Sequence, residues 1–111
     1  MYIFDIDSVS RALEAMDSNW KEFMRVETLS AGLYRLKAGE RDAQKPHTED
    51  EIYFVIKGRA KFAAGENIQD VGAGSVIYVE ARRDHRFVDV VEDLEALVIF
   101  APAEGSNRPA G

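Results

Sequence analysis

The sequence predicts an all-β domain of antiparallel strands, closed as a sandwich or barrel, with one short α-helix in front of it. Three observations carry this. From residue 20 onward, runs rich in β-branched and aromatic residues recur about every ten residues, each ended by glycine, asparagine or charged turn residues. Gly39, Gly58, Gly65, Gly72 and Gly74 fall between the runs, where a residue without Cβ adopts positive φ at little cost. Upstream of the runs, Val9, Leu13, Met16 and Trp20 recur at helical spacing instead. Short strands punctuated this often argue against the strand and helix alternation of a parallel sheet.

The helix is expected over about residues 8–17, with Asp7 or Ser8 accepting the orphan amide hydrogens of its first turn. Its apolar stripe reads as a face packed on the barrel, with a lid or dimer arm as the alternative. Strands are expected at about 22–28, 31–37, 51–57, 59–63, 67–71, 76–79, 85–91 and 94–101, giving a barrel over residues 22–101. The tail from Ser106 to Gly111 holds Pro, Gly, Asn and Ser without an apolar anchor and is expected to fray. At 111 residues the chain reads as a single domain, long enough for one buried core and too short for two.

Composition narrows the function classes. Acidic residues outnumber basic ones 20 to 14, for a net charge of -6, which repels phosphate backbones and anionic lipid unless basic residues cluster. The one cluster, Arg82, Arg83 and Arg86, is short and interrupted by Asp84, so neither nucleic acid nor membrane is an expected partner. The chain has no cysteine and hence no disulfide or thiolate chemistry. MYIFDIDSVS at the amino terminus carries acidic residues where a signal peptide carries basic ones, and no apolar run reaches about 18 residues. The expectation is a soluble, cytoplasmic protein with a small-molecule ligand.

The two histidines, His47 and His85, mark the chemistry. On a regular strand alternate residues share a face, so His47, Glu51, Tyr53 and Val55 point the same way. If that face lines the barrel, a buried Glu51 carboxylate requires a cation or a proton beside it, since burying it alone costs several kcal/mol, of order 3 or more. His85 arrives from another strand with Phe87 and Asp89 on its face. Two imidazoles and one carboxylate with open positions form a site suited to one divalent metal ion: Fe, Mn, Ni or Zn. The competing reading is a plain histidine and carboxylate pair without metal. Tyr34, Tyr53, Tyr78 and Phe87 can line a pocket or simply fill a core.

The spacing of these residues resembles the cupins, small double-stranded β-helix or jelly-roll proteins. The family's first motif is Gly, five residues, His-x-His, three or four residues, Glu, six residues and Gly. Gly39, Lys45, His47, Glu51 and Gly58 keep that spacing within a local string PHTEDEIYFVIKG. The second motif is Gly, five residues, Pro-x-Gly, two residues, His, three residues and Asn, and Gly74, Glu80, Arg82, His85 and Asp89 occupy those places. The resemblance implies that His47, Glu51 and His85 hold the metal. Lys45 stands where the first histidine belongs, and an ammonium beside a divalent cation is repelled unless it turns away or loses its proton. Gln44 is the candidate for a fourth ligand through its amide oxygen, with Glu49 as a rival. Glu80 and Arg82 in place of the motif's Pro and Gly put charge before His85. Arg82 and Arg83 are therefore candidates to capture an acidic substrate by bidentate contact, the alternative being a solvated turn of local ion pairs.

The resemblance implies a metal-dependent enzyme acting on a small organic acid or oxygenated aromatic, dioxygenase-like in one version, with Tyr53 or Tyr78 as proton donor or orienting group. Decarboxylases, isomerases and hydrolases share the fold, so the reaction stays open. The rival is a module that binds or senses a small ligand without chemistry, with or without metal. Cupins commonly pair through their sheets, which implies a homodimer; Ile52, Phe54 and Ile56, opposite Glu51, are candidates for the contact.

Overall fold

Among the described residues one helix and six strands form: α1 (Ile6–Ala15), β1 (Trp20–Val26), β2 (Leu29–Leu36), β3 (Asp50–Ala64), β4 (Asn67–Gly72), β5 (Val76–Val79) and β6 (His85–Ala101). The computed structural model describes residues 1–109. Every strand pairing is antiparallel, in the order β1, β2, β6, β3, β4, with β5 also on β3. Among the described residues no helix is long and apolar enough to cross a membrane.

Two pairs of strands expected from the sequence are each one long strand. The breaks predicted near Gly58 and near residues 92–93 are bends instead, at which the pairing of β3 with β6 continues through register shifts between Val55 and Lys57, Lys57 and Arg59, and Arg59 and Lys61. Gly58 makes the bend possible: its φ is 97°. A Cβ there would also lie 2.4 Å from the Asp93 carbonyl oxygen. Before the bend β3 pairs with β5 and with the second half of β6; after it β3 pairs with β4 and the first half of β6. The sheet thus folds over on itself, and side chains from both halves meet in one core: Tyr53 and Val55 with Ala60, Phe62, Phe87, Val98 and Phe100. This is the jelly-roll architecture expected for the barrel.

The helix begins at Ile6 and not at residue 8, because the cap is Asp5. Its carboxylate accepts from the Ser8 amide at 3.2 Å and the Ser8 hydroxyl at 2.6 Å. Val9 and Leu13 pack on Leu33 together with Phe23, Ile56 and Leu97, so the stripe lies against the outside of the sheet. Met16 falls at the C-cap and is exposed, and Trp20 belongs to β1, not to the stripe. The tail expected to fray is tied over its first residues: the Ser106 amide donates to the Ala103 carbonyl at 3.0 Å and the Asn107 amide to Glu49 at 2.9 Å. A buried carboxylate supplies the anchor that apolar residues do not. Residues 110 and 111 of that tail lie outside the described residues.

Candidate functional site

Alternation along β3 sets the first half of the site. Glu51, Tyr53 and Val55 are buried while Ile52 and Phe54 between them are exposed, as the strand parity predicts. β6 begins with His85, opposite Ala64 at the far end of β3, and the fold-over brings its imidazole back onto Glu51. His85 Nε2 lies 2.6 Å from Glu51 Oε1, both side chains being 1% exposed, and 3.0 Å from the Tyr53 hydroxyl. On the other edge of the ring, Nδ1 donates to the Arg83 carbonyl at 2.7 Å. Burial pulls the His85 pKa down, but the bonds to Glu51 and the Arg83 carbonyl and the charge of Glu51 outweigh it and raise the pKa above the ordinary imidazole value. Burial and the Glu51 charge push the Tyr53 phenol well up, so it keeps its proton.

The second half comes from the loop between β2 and β3. Asp42, 3% exposed, accepts from the Tyr34 hydroxyl at 2.7 Å, the Phe87 amide at 2.9 Å and the Gln44 amide at 3.1 Å. Burial and the Asp42 bond push the Tyr34 phenol far up. The Gln44 side-chain nitrogen reaches Asp42 at 3.4 Å and the Tyr53 hydroxyl at 3.3 Å, which leaves its oxygen turned to His47 Nε2 at 3.2 Å. His47 Nδ1 lies 3.2 Å from Glu104 Oε2, on the loop after β6.

Each imidazole is therefore held at Nδ1 by an oxygen that only accepts, and aims Nε2 at a second such oxygen. A neutral ring carries one hydrogen and cannot satisfy both. Either a further proton sits in each pair, on the ring or on the facing carboxylate, or a cation lies among the Nε2 atoms and the facing oxygens. Glu51 Oε2 adds to this demand: among the described residues it is the one fully buried side-chain polar atom without a partner. The donor set of His47, Glu51, His85 and Gln44 fits a divalent cation in kind, with Nδ1 partners of the type that orient metal-bound histidines. As the side chains stand they form two facing pairs, His85 with Glu51 and His47 with Gln44, joined through Tyr53. The His47 and His85 ring centroids are 6.2 Å apart, and among the described residues no three His, Asp or Glu side chains close on one point.

Other residues singled out in the sequence lie elsewhere. Lys45 is exposed to solvent. Glu49, the rival ligand, is buried and takes the Gly105 and Asn107 amides and the Thr48 hydroxyl; it holds the loop after β6. Tyr78 pairs with Ile52 on the outer face of the sheet, 59% exposed, so parity keeps its side chain from Glu51. Arg83 pairs with Glu80 at 3.4 Å and caps the Ala64 carbonyl, and Arg82 reaches the Asn107 carbonyl. Neither guanidinium faces the histidines; Arg83 serves the site through its backbone carbonyl.

Two concavities flank the centre. One of about 170 Å³ is lined by Trp20, Tyr34, Gln44, His47, Phe100 and Glu104. Trp20 lies over Gly32, where a Cβ would sit 2.3 Å from the indole, and meets Phe100 edge to face. A larger cleft of about 510 Å³, with Tyr78 and Arg83 on its rim, opens on the side of β4 and β5. Phe62, stacked on His85 at 5.8 Å, stands between that cleft and the centre. The smaller pocket is the one walled by His47 and Gln44. The sequence reading missed Asp42, Glu104 and the wall residues Trp20 and Phe100: a lone acid in a loop has no periodicity to mark it, and Trp20 fits the helical stripe by accident of spacing.

Comparison with known proteins places this geometry. A cupin-domain profile matches residues 32–100. An uncharacterized protein of Streptomyces coelicolor is 43% identical over 104 residues, which cover 94% of this chain and 99% of that protein. An RmlC-like cupin with a double-stranded β-helix fold from Methanocaldococcus jannaschii superposes with a TM-score of 0.68 at 18% identity, over 78% of this chain and 84% of that one. The DMSP lyase DddQ of Ruegeria pomeroyi superposes with a TM-score of 0.66 at 24% identity over 77% of this chain, which spans 42% of that protein. The profile covers both histidines, Glu51 and the fold-over that joins them, and on that match the chain belongs to the cupin family.

Proposed function

We propose that this protein is a metal-dependent cupin enzyme acting on a small oxygenated organic molecule, an aromatic or an organic acid, with one divalent metal ion on Glu51, His85, His47 and Gln44. The observation that carries it is the pair of imidazoles whose Nε2 atoms face acceptor oxygens, beside a buried carboxylate oxygen with no partner. An ion held there supplies Lewis-acid polarisation, water activation or, with Fe, Mn or Ni, redox chemistry. The chain's own groups then have defined tasks. Tyr53 stays protonated and lies against His85, so it is the group placed to deliver a proton or orient a substrate oxygen. Trp20, Tyr34 and Phe100 offer apolar ring surface to a planar ligand, and the pocket volume suits one of single-ring size. The Tyr34 hydroxyl is spent on Asp42, so its ring and not its proton serves the pocket.

The DMSP lyase among the structural neighbours supports an enzyme on this scaffold, though at that identity it speaks for the fold. The test is metal content and affinity of the native protein against Glu51→Ala and His85→Ala, followed by a turnover screen of small carboxylic acids and catechols with and without oxygen. Saturable ligand binding without turnover favours the second reading, a binding or sensing module, for which the separation of the two histidine rings, with centroids 6.2 Å apart, is the supporting observation.

A homodimer is part of the proposal. Ile52 with Tyr78 and Phe54 with Val76 form cross-strand pairs, all exposed, on the outer face of β3 and β5. Ile56 is excluded from that patch because it packs under α1.

A further inference from the structure

We infer that Glu104 is a positioning residue for the metal centre: it fixes the hydrogen of His47 on Nδ1 and so keeps the Nε2 lone pair turned to the site. The inference rests on the metal-site reading above and concerns a residue outside both motifs. The loop after β6 is built to deliver this carboxylate. The Glu104 amide donates to the buried Ser30 hydroxyl at 2.8 Å, and its carbonyl accepts from Arg25 at 2.9 Å, so its backbone is clamped on both sides. The next residues are held by Glu49, which takes the Gly105 amide at 2.8 Å and the Asn107 amide at 2.9 Å. From that clamp the Glu104 side chain reaches back over the pocket to His47 Nδ1 at 3.2 Å, both side chains being mostly buried.

A neutral His47 has one hydrogen and two acceptor neighbours. A carboxylate takes that hydrogen in preference to a neutral amide oxygen, because the charge-assisted bond is the stronger. Glu104 therefore wins Nδ1–H, and Nε2 faces Gln44 Oε1 as a lone pair. Phe100, edge to face on the imidazole at 4.7 Å, hinders the ring from rotating out of this orientation. At His85 the same rule gives the opposite result for the free neutral ring: Nδ1 faces the neutral Arg83 carbonyl and Nε2 the Glu51 carboxylate, so the hydrogen goes to Nε2 unless a cation takes that place. The two rings thus have different outer partners, one a side chain and one a backbone group, and only the first can be removed by substitution. With Lys45 in place of the first motif histidine, His47 is the only imidazole of that motif, and its orientation matters more.

The experiment uses the full chain metal-free and Zn(II) as the probe. Nitrogen-15 NMR of the neutral rings reads the tautomer of His47 and His85, and a Zn(II) competition titration reads affinity, for the native protein, Glu104→Ala and Glu104→Gln. The expected result is an Nδ1–H form of His47 in the native protein, lost in Glu104→Ala and weakened in Glu104→Gln, whose neutral amide oxygen no longer outcompetes Gln44 by charge. The His85 ring signals stay unchanged in all three and report that the fold is intact. Zn(II) affinity falls about 10- to 100-fold in Glu104→Ala, the usual cost of an outer partner. An unchanged His47 tautomer in Glu104→Ala overturns the inference, as does an unchanged Zn(II) affinity where the native protein binds. If the native protein binds no Zn(II), the metal-site reading falls, and the His47 tautomer alone decides whether Glu104 positions the ring.

Discussion

His85 Nε2 lies 2.6 Å from one oxygen of Glu51, while the other oxygen of that carboxylate is buried without a partner. A half-satisfied buried carboxylate is costly, and the Tyr53 hydroxyl links its pair with His85 to the second pair, His47 with Gln44. The predictions follow from that arrangement.

Tyr53→Phe removes a hydroxyl that bonds to His85 and Gln44 while leaving all four donor side chains in place. Metal stoichiometry is expected to stay at the native value. Stability falls by about 1 kcal/mol from the lost hydrogen bonds, read by urea denaturation, and turnover of any substrate found in the screen falls at least about 100-fold. Metal lost along with the hydroxyl would show that Tyr53 is a structural part of the centre and not its proton group.

Asp42→Ala strips the acceptor from Tyr34, from the Phe87 amide and from Gln44. With buried donors orphaned, the loss is expected to be about 3 kcal/mol or more, and Gln44 no longer has its amide orientation fixed. Hydrogen exchange at the Phe87 amide is the local readout and should accelerate by more than the amides of α1, which lies on the other side of the sheet.

Glu49 ties the loop after β6 at low pH only while it is ionised. Burial raises its pKa, but the Thr48 hydroxyl and the Gly105 and Asn107 amides outweigh this and leave it below the ordinary carboxylate value. A group whose folded pKa is depressed contributes stability that is present above its unfolded pKa and lost as pH falls through the folded one. The native protein should therefore lose stability below the ordinary glutamate range, near pH 4.3 and downward, and Glu49→Gln should flatten that part of the profile. An acid limb of the same steepness in the variant would contradict the assignment.

Phe54→Glu places a charge in the exposed patch of Ile52, Phe54, Val76 and Tyr78. Sedimentation velocity is expected to show a dimer for the native protein and a monomer for the variant; a native monomer would remove the patch as a self-contact.

The sequence made the strand parity legible: Glu51, Tyr53 and Val55 alternate with Ile52 and Phe54, and burial follows that alternation. Motif spacing made both histidines legible too. Gly58 was legible as a break in pairing, but its actual effect is a bend, because a glycine at positive φ lets two long strands turn together. Asp42 and Glu104 were not legible. Both act from loops, where what a side chain reaches depends on the folded path of the backbone and not on a local period. Glu104 in particular follows the last strand, beside a stretch whose composition suggests fraying, and only the Glu49 carboxylate, read as a possible ligand, reveals why that stretch is ordered. The local partners of Arg82 and Arg83 were not legible for a related reason: Glu80, Ala64 and Asn107 meet their guanidinium groups only along the folded path of the backbone.

The central claim is that one divalent ion belongs to His47, Glu51, His85 and Gln44. The most direct measurement is elemental analysis of protein purified without chelator or an affinity-tag metal, with Fe, Mn, Ni and Zn titrations of the native protein, Glu51→Ala and His85→Ala side by side. The account predicts about one ion per chain in the native protein and its loss in both variants. A native protein that holds none, and that binds each added ion no better than the two variants do, would contradict it.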